Sequence, residues 1–540
     1  MGQEVAVAIV RTLLASALVL ASLGAQAPAT SAQERLGQTH FITSCEPAVE
    51  KRFDRAIAVL HSFWYSEAIK EFNRVVEADP GCAMAYWGIA MSNWGFRRQL
   101  PALRAGRAAV ERAQAAHART PREKDYIAAV ARLYDDFERV NPPVRINAYV
   151  QAMEQLTKAY PADREAVIFY ALGILDTVVP TDKTFAARLK AGAILEKEFK
   201  TQPDHPGIAH YIIHAYDVPP LADRALAAAY RYAKIAPAAP HALHMPSHTF
   251  TRLGYWEESI DSNVQSAAAA EKEGASGTGE RLHALDYAAY GYLQTAQDRA
   301  ALKIVRQIPS LAASGPTPEY GSANAFAVAA IPARYVLERH AWTEAANLQV
   351  HATGTPSADA LTHFARALGL ARTRKPAGAQ REIERLTELR DKLTQSNDRY
   401  WAGQVEIQRV TAAAWTAWAA GQRDEALRLL RTAADLEDAT EKAGTTPGPL
   451  MPARELLGDM LLELNQPAKA LSEYEATLKR EPNRFWSVYG VARAAQLAGD
   501  SAKASRTYSQ LVKICRRADQ PGRSELAQAR KAAAGVPDRR

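Results

Sequence analysis

The chain has 540 residues, of which 48% are hydrophobic and 23% are charged, and its formal net charge is +7. This composition is close to that of ordinary soluble proteins, so the chain is able to bury a core and is not disordered as a whole. Lysine and arginine are interleaved with acids and form no basic stripe, which argues against a nucleic-acid partner. The one local excess of basic residues, over residues 516–540, predicts a polar tail.

The first 32 residues predict a secretory signal peptide. Arg11 precedes an apolar run over residues 13–23, and small residues suited to cleavage follow. The stretch over residues 5–10 weakens the charged region, which leaves an uncleaved membrane anchor as the alternative. No later segment is apolar over enough residues to span a bilayer. We therefore expect a periplasmic or secreted protein with no transmembrane segment after signal cleavage.

The chain contains three cysteines, Cys45, Cys82 and Cys515. This number is too small for a disulfide scaffold. In an oxidising compartment Cys45 and Cys82 would be able to pair and to tie the start of the mature chain to the second repeat. Two buried thiols are the alternative, and Cys515 is left over in either case.

A recurring local pattern marks helical hairpins along the chain. In the C-terminal region, Ala470 and Tyr474 recur 34 residues later as Ala504 and Tyr508. Each unit has two stretches with helical apolar spacing, separated by a turn that contains asparagine or glycine. The same pattern occurs earlier in HSFWYSEAIKEF, RLGYWEESI and AAGQRDEALRLL. Prolines stand where second helices are expected to stop, at Pro80, Pro203, Pro237 and Pro482.

These features resemble the tetratricopeptide repeat (TPR), whose 34-residue consensus has a small residue at position 20, an aromatic residue at 24 and proline at 32. HSFWYSEAIKEF, CAMAYWGIAMSNWG and HPGIAHYIIHAY are similar to a secreted bacterial subgroup of this family. The resemblance implies an all-α, right-handed superhelical solenoid of roughly ten to twelve helical hairpins. It implies a concave groove that binds a protein or peptide partner, but it implies no reaction.

Two segments, residues 308–324 and 443–452, interrupt the helical periodicity. We therefore divide the chain into an N-terminal solenoid with a histidine-rich groove, residues 33–310, and a C-terminal solenoid, residues 325–515. Because contacts between neighbouring repeats hold a solenoid together, these seams are expected to bend the superhelix instead of separating independent domains.

An apolar patch is predicted near the N-terminal end of the groove. In the TPR family, positions 2, 5, 9, 12 and 13 of the first helix face the groove, and the second repeat fills four of them with Met84, Trp87, Met91 and Trp94. Exposed, this patch would suit an apolar peptide, a lipid or Cu(I). The alternative is that residues 40–45 or another helix cover it.

Six of the 13 histidines lie between residues 205 and 248. Two successive units, aligned 34 residues apart, superpose His210 on His244 and His214 on His248, and each pair shares one helical face. Further groove positions of these units and the next are filled by Asp217, His241, Arg252, His283, Asp286 and Tyr290.

Neutral imidazoles suit Zn, Cu or Ni, and nearby carboxylates either ligate the metal or orient the rings. The sequence therefore predicts a Zn or Cu site whose candidate ligands are His210, His214, His244, His248, Asp217 and Asp286. The candidate groove-binding residues are His241, Arg252, His283 and Tyr290, together with the Met84, Trp87, Met91 and Trp94 patch. The alternative is that these histidines pack between repeats or bind a polar peptide.

Two functional hypotheses follow. In the first, the chain is an extracytoplasmic scaffold that binds a peptide or protein segment in its groove, with or without a metal ion. In the second, it is a metal carrier or a metal-dependent hydrolase or oxidase that uses the histidines of residues 205–248. HYIIH has the histidine spacing of a zinc protease but lacks the glutamate that serves as base, so the sequence specifies no reaction.

Overall fold

The computed structural model describes residues 35–96, 99–313 and 321–534. These residues form α-helices, short 3-10 helices and loops, and no β-strand occurs among them. From Leu36 onward the chain forms one compact unit. The predicted signal peptide, residues 1–32, lies outside the described residues, and so does the centre of the predicted seam at residues 308–324. The division into two solenoids at that seam stays a prediction.

The α-helices, in chain order, are α1 (Glu50–His61), α2 (Tyr65–Ala78), α3 (Ala83–Trp94), α4 (Leu100–Ala115), α5 (Pro121–Arg132), α6 (Pro142–Ala159), α7 (Arg164–Asp176), α8 (Ala186–Thr201), α9 (Pro206–Tyr216), α10 (Leu226–Ile235), α11 (Pro240–His244), α12 (Pro246–Leu253), α13 (Trp256–Glu271), α14 (Thr278–Gln294), α15 (Asp298–Val305), α16 (Ile308–Ala313), α17 (Gly321–Leu337), α18 (Trp342–Ala346), α19 (Pro356–Arg372), α20 (Pro376–Gln395), α21 (Arg399–Ala419), α22 (Arg423–Asp438), α23 (Ala453–Glu463), α24 (Pro467–Arg480), α25 (Phe485–Leu497), α26 (Ser501–Ile514) and α27 (Ser524–Ala534). The 3-10 helices are Pro47–Val49, Pro219–Ala225 and Gly274–Gly277.

Helices that follow one another in the chain pack together as hairpins. The pairs are α1 with α2, α3 with α4, α5 with α6, α7 with α8, α9 with α10, α11 and α12 with α13, α14 with α15, α17 with α18, α19 with α20, α21 with α22, α23 with α24, and α25 with α26. These make twelve hairpins among the described residues. The all-α, TPR-like class and the predicted number of hairpins are therefore confirmed.

The local signals in the sequence act as predicted. Each of the four stop prolines lies two residues beyond the end of a helix: Pro80 after α2, Pro203 after α8, Pro237 after α10 and Pro482 after α24. The turn residue Gly499 has φ of +88°, a left-handed conformation that glycine adopts without steric cost. Tyr474, at the aromatic position, lies so close to Gly458 and Gly490 that a Cβ there would be 2.8 and 2.5 Å from its ring. Small residues are thus needed where successive helices cross.

The predicted apolar patch is buried by other parts of the chain. Met84, Trp87, Met91 and Trp94 are at most 6% exposed. The Phe41 ring centroid lies 5.2 Å from that of Trp87, and Phe41 is itself buried. The prediction that this patch binds a ligand in the groove is corrected, because the segment before α1 covers Trp87 and residues of later helices and loops, among them Arg145 and Asp176, contact Trp94, as the alternative proposed.

The cysteines and the C-terminal tail are also resolved by the structure. Cys45 and Cys82 form a disulfide, while Cys515 is a buried free thiol. The predicted polar tail includes helix α27, in which Leu526 and Ala529 are buried, so the tail is part of the packed fold up to that helix. Within the described ranges, no helix has the length and apolar character needed to cross a membrane.

A loop between α22 and α23, residues 440–452, crosses the histidine-bearing helices, and we call it the covering segment. The Tyr287 hydroxyl contacts the carbonyl oxygens of Gly444 and Thr446 at 3.0 and 3.1 Å. Arg334 donates hydrogen bonds to Thr446 Oγ1 at 2.7 Å and to the Gly448 carbonyl at 2.9 Å. The groove at the histidines is therefore filled by the chain itself.

Candidate metal centre

Six histidines form two groups of three. Trio A consists of His210 and His214 on α9 and His241 on α11, and trio B consists of His244 on α11, His248 on α12 and His283 on α14. In each trio, one ligand atom from every ring lies within 4.8 Å of the other two. His214 is half-buried and the other five are buried. Both trios are thus candidate metal-ligand sets.

The two trios arise from the same positions of successive repeats. Each combines positions 5 and 9 of one first helix with position 2 of the next first helix. The predicted pairs, His210 with His214 and His244 with His248, are therefore brought together as expected. His241 and His283 were predicted as groove-binding residues, and the structure moves them into the candidate ligand sets.

Trio B sits across a break between two helices. Pro246 has no N–H to continue the α-helical hydrogen bonds, so α11 ends at His244 and α12 begins at Pro246. Met245 between them keeps helical angles, φ −53° and ψ −36°. His244 and His248 therefore still project from one face, and their Nε2 atoms are 3.0 Å apart.

The hydrogen bonds of His244 fix its neutral tautomer. Its Nδ1 lies 2.6 Å from Asn263 Oδ1. The Asn263 amide nitrogen donates to the Ser259 carbonyl at 2.6 Å, so the amide oxygen is the atom that faces His244. His244 Nδ1 therefore carries the proton, and its Nε2 presents a lone pair.

The hydrogen bonds of His248 fix the same tautomer. Its Nδ1 lies 3.0 Å from Asp217 Oδ2, and a carboxylate only accepts. Although burial alone would raise it, Lys442, Arg252 and His248 hold the pKa of Asp217 well below its usual value, so Asp217 is ionised. His248 Nδ1 is therefore the donor, and its Nε2 also presents a lone pair.

The Nε2 lone pairs of His244 and His248 therefore face each other across 3.0 Å. Burial, with the neighbouring His248, lowers the pKa of His244 to about 3, and burial also lowers the pKa of His248, so the rings are neutral near pH 7. Two facing lone pairs repel unless a cation lies between them. A separation of 3.0 Å is close to that of two nitrogens bound to one ion at about 2.0–2.1 Å.

Trio A contains an Nε2-to-Nε2 contact of the same length, in which the tautomer of His210 is fixed. His210 Nδ1 donates to the His61 carbonyl at 2.7 Å, which leaves its Nε2 lone pair directed at His214 Nε2, 3.0 Å away. Burial and neighbouring histidines lower the pKa of both rings well below the usual value.

The two predicted carboxylate ligands have other partners. Asp217 contacts His248 Nδ1, Arg252 Nε at 2.9 Å and Lys442 Nζ at 3.4 Å, so it orients a ring instead of joining a trio. Asp286 accepts from Arg334 Nε at 2.9 Å and belongs to neither trio. Both assignments as metal ligands are corrected, because nearby cations take these carboxylates.

The remaining predicted groove residues are buried as well. Arg252 is 3% exposed and donates to Asp217, and Tyr290 is fully buried and accepts from Arg484 Nη1 at 3.1 Å. They are interior groups and do not present a binding surface, because the chain fills this part of the groove.

Two supporting residues were missed by sequence reasoning. Asn263 stands four residues after the small residue Ser259, at the position where Tyr474 and Tyr508 stand in other repeats. That departure from an aromatic residue was a usable signal. Lys442 lies 225 residues from its partner Asp217, and no local pattern points to it.

A further group, His61, Glu165 and His205, also has metal-ligand spacing. Both histidine Nε2 atoms contact Glu165, at 2.9 and 3.0 Å. His61 Nδ1 lies 2.9 Å from the Tyr211 hydroxyl, and His205 Nδ1 accepts from the Ile208 N–H at 3.3 Å. All four ring nitrogens have complementary partners, so this group needs no metal.

No protein-family model matches the chain, and no curated protein matches its sequence. Among solved structures, a chain of the Naa15/Naa10 complex bound to HypK-THB is 13% identical, with a TM-score of 0.22, over 89% of this chain and 73% of that chain. A monomeric mutant of IFIT1 with m7Gppp-AAAA is 10% identical, with a TM-score of 0.36, over 80% of this chain and 90% of that chain. At these scores neither likeness carries an argument about this chain.

Proposed function

We propose that the chain is a TPR-like metal-binding protein that holds copper or zinc on its buried histidines. The observation that carries this proposal is the contact between His244 Nε2 and His248 Nε2, where Asn263 and Asp217 fix both tautomers so that two lone pairs meet at 3.0 Å. A hydrogen-bonded core would pair a donor with an acceptor at this distance. A metal ion uses both lone pairs.

Copper is favoured over zinc at this site. Imidazole suits both metals, but affinity for divalent ions at a given nitrogen site is highest for Cu²⁺ in the Irving–Williams series. Asp217 supports either metal, because a carboxylate on the far ring nitrogen fixes the ring and raises its basicity.

We also propose an extracytoplasmic location. The Cys45–Cys82 disulfide supports it, because such bonds persist in oxidising compartments. A protein or peptide partner that entered the groove at the histidines would have to displace the covering segment. That segment is anchored by Arg334 and Tyr287, so metal binding has the stronger support here.

Elemental analysis of protein purified without an affinity tag tests the metal proposal. We expect bound metal in the wild type, near-complete loss in a His214→Ala, His248→Ala double variant, and no loss in His363→Ala, whose buried ring pairs with Glu382 outside the trios. Copper added to chelator-treated wild type should raise its melting temperature, since a ligand that binds only the native state stabilises it. Absence of metal and of any thermal shift would reject the proposal.

A further inference from the structure

We propose that the histidine cluster holds two metal ions, one in each trio, as a paired centre. This inference rests on the proposed metal-binding function and specifies the number and arrangement of the ions. The sequence pattern alone pointed to one four-histidine site.

Each trio is a complete ligand set. Three histidines form the protein part of known nitrogen-only metal sites, with a further position left for water or another ligand. One tetrahedral ion takes four ligands, so a single ion is unable to bind all six rings. The Nε2-to-Nε2 distance of 3.0 Å recurs in both trios, so each trio offers a close pair of imidazole nitrogens to an ion of its own.

The two trios also share one origin. His210, His214 and His241 fill positions 5, 9 and 2 of two successive first helices, and His244, His248 and His283 fill the same positions one repeat later. Stacked repeats place equivalent positions side by side, so a site built on one repeat step is built again on the next.

The trios are neighbours in space. The ring centroids of His241 and His244 are 5.9 Å apart, and those of His214 and His248 are 6.1 Å apart. Ions in the two trios would therefore influence each other's charge and magnetic properties.

When both trios are occupied, the surrounding charges favour univalent copper over two divalent ions. Asp217, the carboxylate on His248, is already paired with Arg252 and Lys442. Glu280 lies 3.3 Å from His241 Nδ1. Two divalent ions would bring four buried positive charges to these few carboxylates, and buried charge that is not compensated is costly. Two Cu(I) ions bring only two positive charges.

Copper stoichiometry of the full chain, loaded anaerobically with Cu(I) and desalted, tests this proposal. We expect two copper ions per wild-type chain, one in His241→Ala, one in His283→Ala, and two in the control His363→Ala. After oxidation, the wild type should show the broadened or diminished electron paramagnetic resonance signal of two interacting Cu²⁺ ions. Each single-trio variant should show the signal of one isolated ion.

The possible failures are distinct. One copper ion per wild-type chain would overturn the paired centre and leave the proposed function standing, whereas no bound copper would reject both. Two ions in the wild type that are both lost in either single variant would also overturn the arrangement of one ion per trio. Wild-type stoichiometry tests the number of ions even if a variant fails to fold, and the variants test their arrangement.

Discussion

Two groups of buried metal-ligand side chains lie in neighbouring parts of the N-terminal core, and they differ in their hydrogen bonds. In the His61, Glu165 and His205 group, the carboxylate accepts from both rings, and the other ring nitrogens also have partners. In trio B, the Nδ1 atoms of His244 and His248 donate to Asn263 and Asp217, and the Nε2 atoms of the two rings face each other. The comparison teaches that spacing alone does not identify a metal site. The direction of protons and lone pairs separates a self-sufficient polar cluster from one whose lone pairs are suited to bind a cation.

The largest effect is expected from Glu165→Ala. It leaves two buried ring nitrogens without their acceptor, and each buried donor left unsatisfied costs about 1–3 kcal/mol of unfolding free energy. Urea unfolding measures the loss. Metal content should stay at the wild-type value, because Glu165 supports the structure only. Loss of metal together with stability would contradict the distinction between the two groups.

A smaller effect is expected from Asp217→Asn. An amide in place of the carboxylate weakens the acceptor that fixes the His248 tautomer, and loss of such an outer partner lowers metal affinity about 10- to 100-fold. Competition with a chelator of known affinity measures this change. Glu382→Gln, which alters the carboxylate beside His363, serves as the matched control and should leave metal affinity unchanged. Equal effects of both substitutions would argue that only general stability had changed.

The pH dependence of the metal-free protein gives a third test. Unfolded histidine binds a proton below about pH 6.5, whereas burial and the neighbouring His248 hold the pKa of folded His244 at about 3. Between these values the unfolded state binds more protons, so the free energy of unfolding falls as the pH is lowered.

Below pH 6.5, each histidine ring that stays neutral in the folded state should add about 1.4 kcal/mol per pH unit to the slope of the unfolding free energy against pH. Between pH 7 and 8, His244 should add nothing to this slope. Urea unfolding at pH 7.5, 6 and 5 measures it. His244→Gln should give a shallower slope below pH 6.5 than the wild type. Identical slopes would show that this ring is not buried in its neutral form.

Much of the fold was accessible from the sequence because its determinants are local. Proline at the helix ends, glycine and asparagine in the turns, and small residues at the helix crossings act within one repeat. The histidine pairs were equally accessible, since i, i+4 spacing and a 34-residue period place them on equivalent faces.

The details of the site depend on residues that are distant in the chain. His61 and Glu165 are 104 residues apart, and Lys442 reaches Asp217 over 225 residues. Asp217 and Asp286 were predicted as ligands because they fill groove positions beside the histidines. The cations that pair with them, Lys442 and Arg334, lie on distant elements. The covering segment was recognised as an interruption of the helices, but its path over the histidines follows from tertiary packing alone.

Anomalous diffraction from crystals of the copper-loaded protein, measured on both sides of the copper absorption edge, tests the central claim most directly. We predict a peak between His244 Nε2 and His248 Nε2, about 2 Å from each nitrogen, and an equivalent peak in trio A. Copper found only elsewhere in the protein, or ordinary hydrogen bonds between these rings with no peak, would contradict the account.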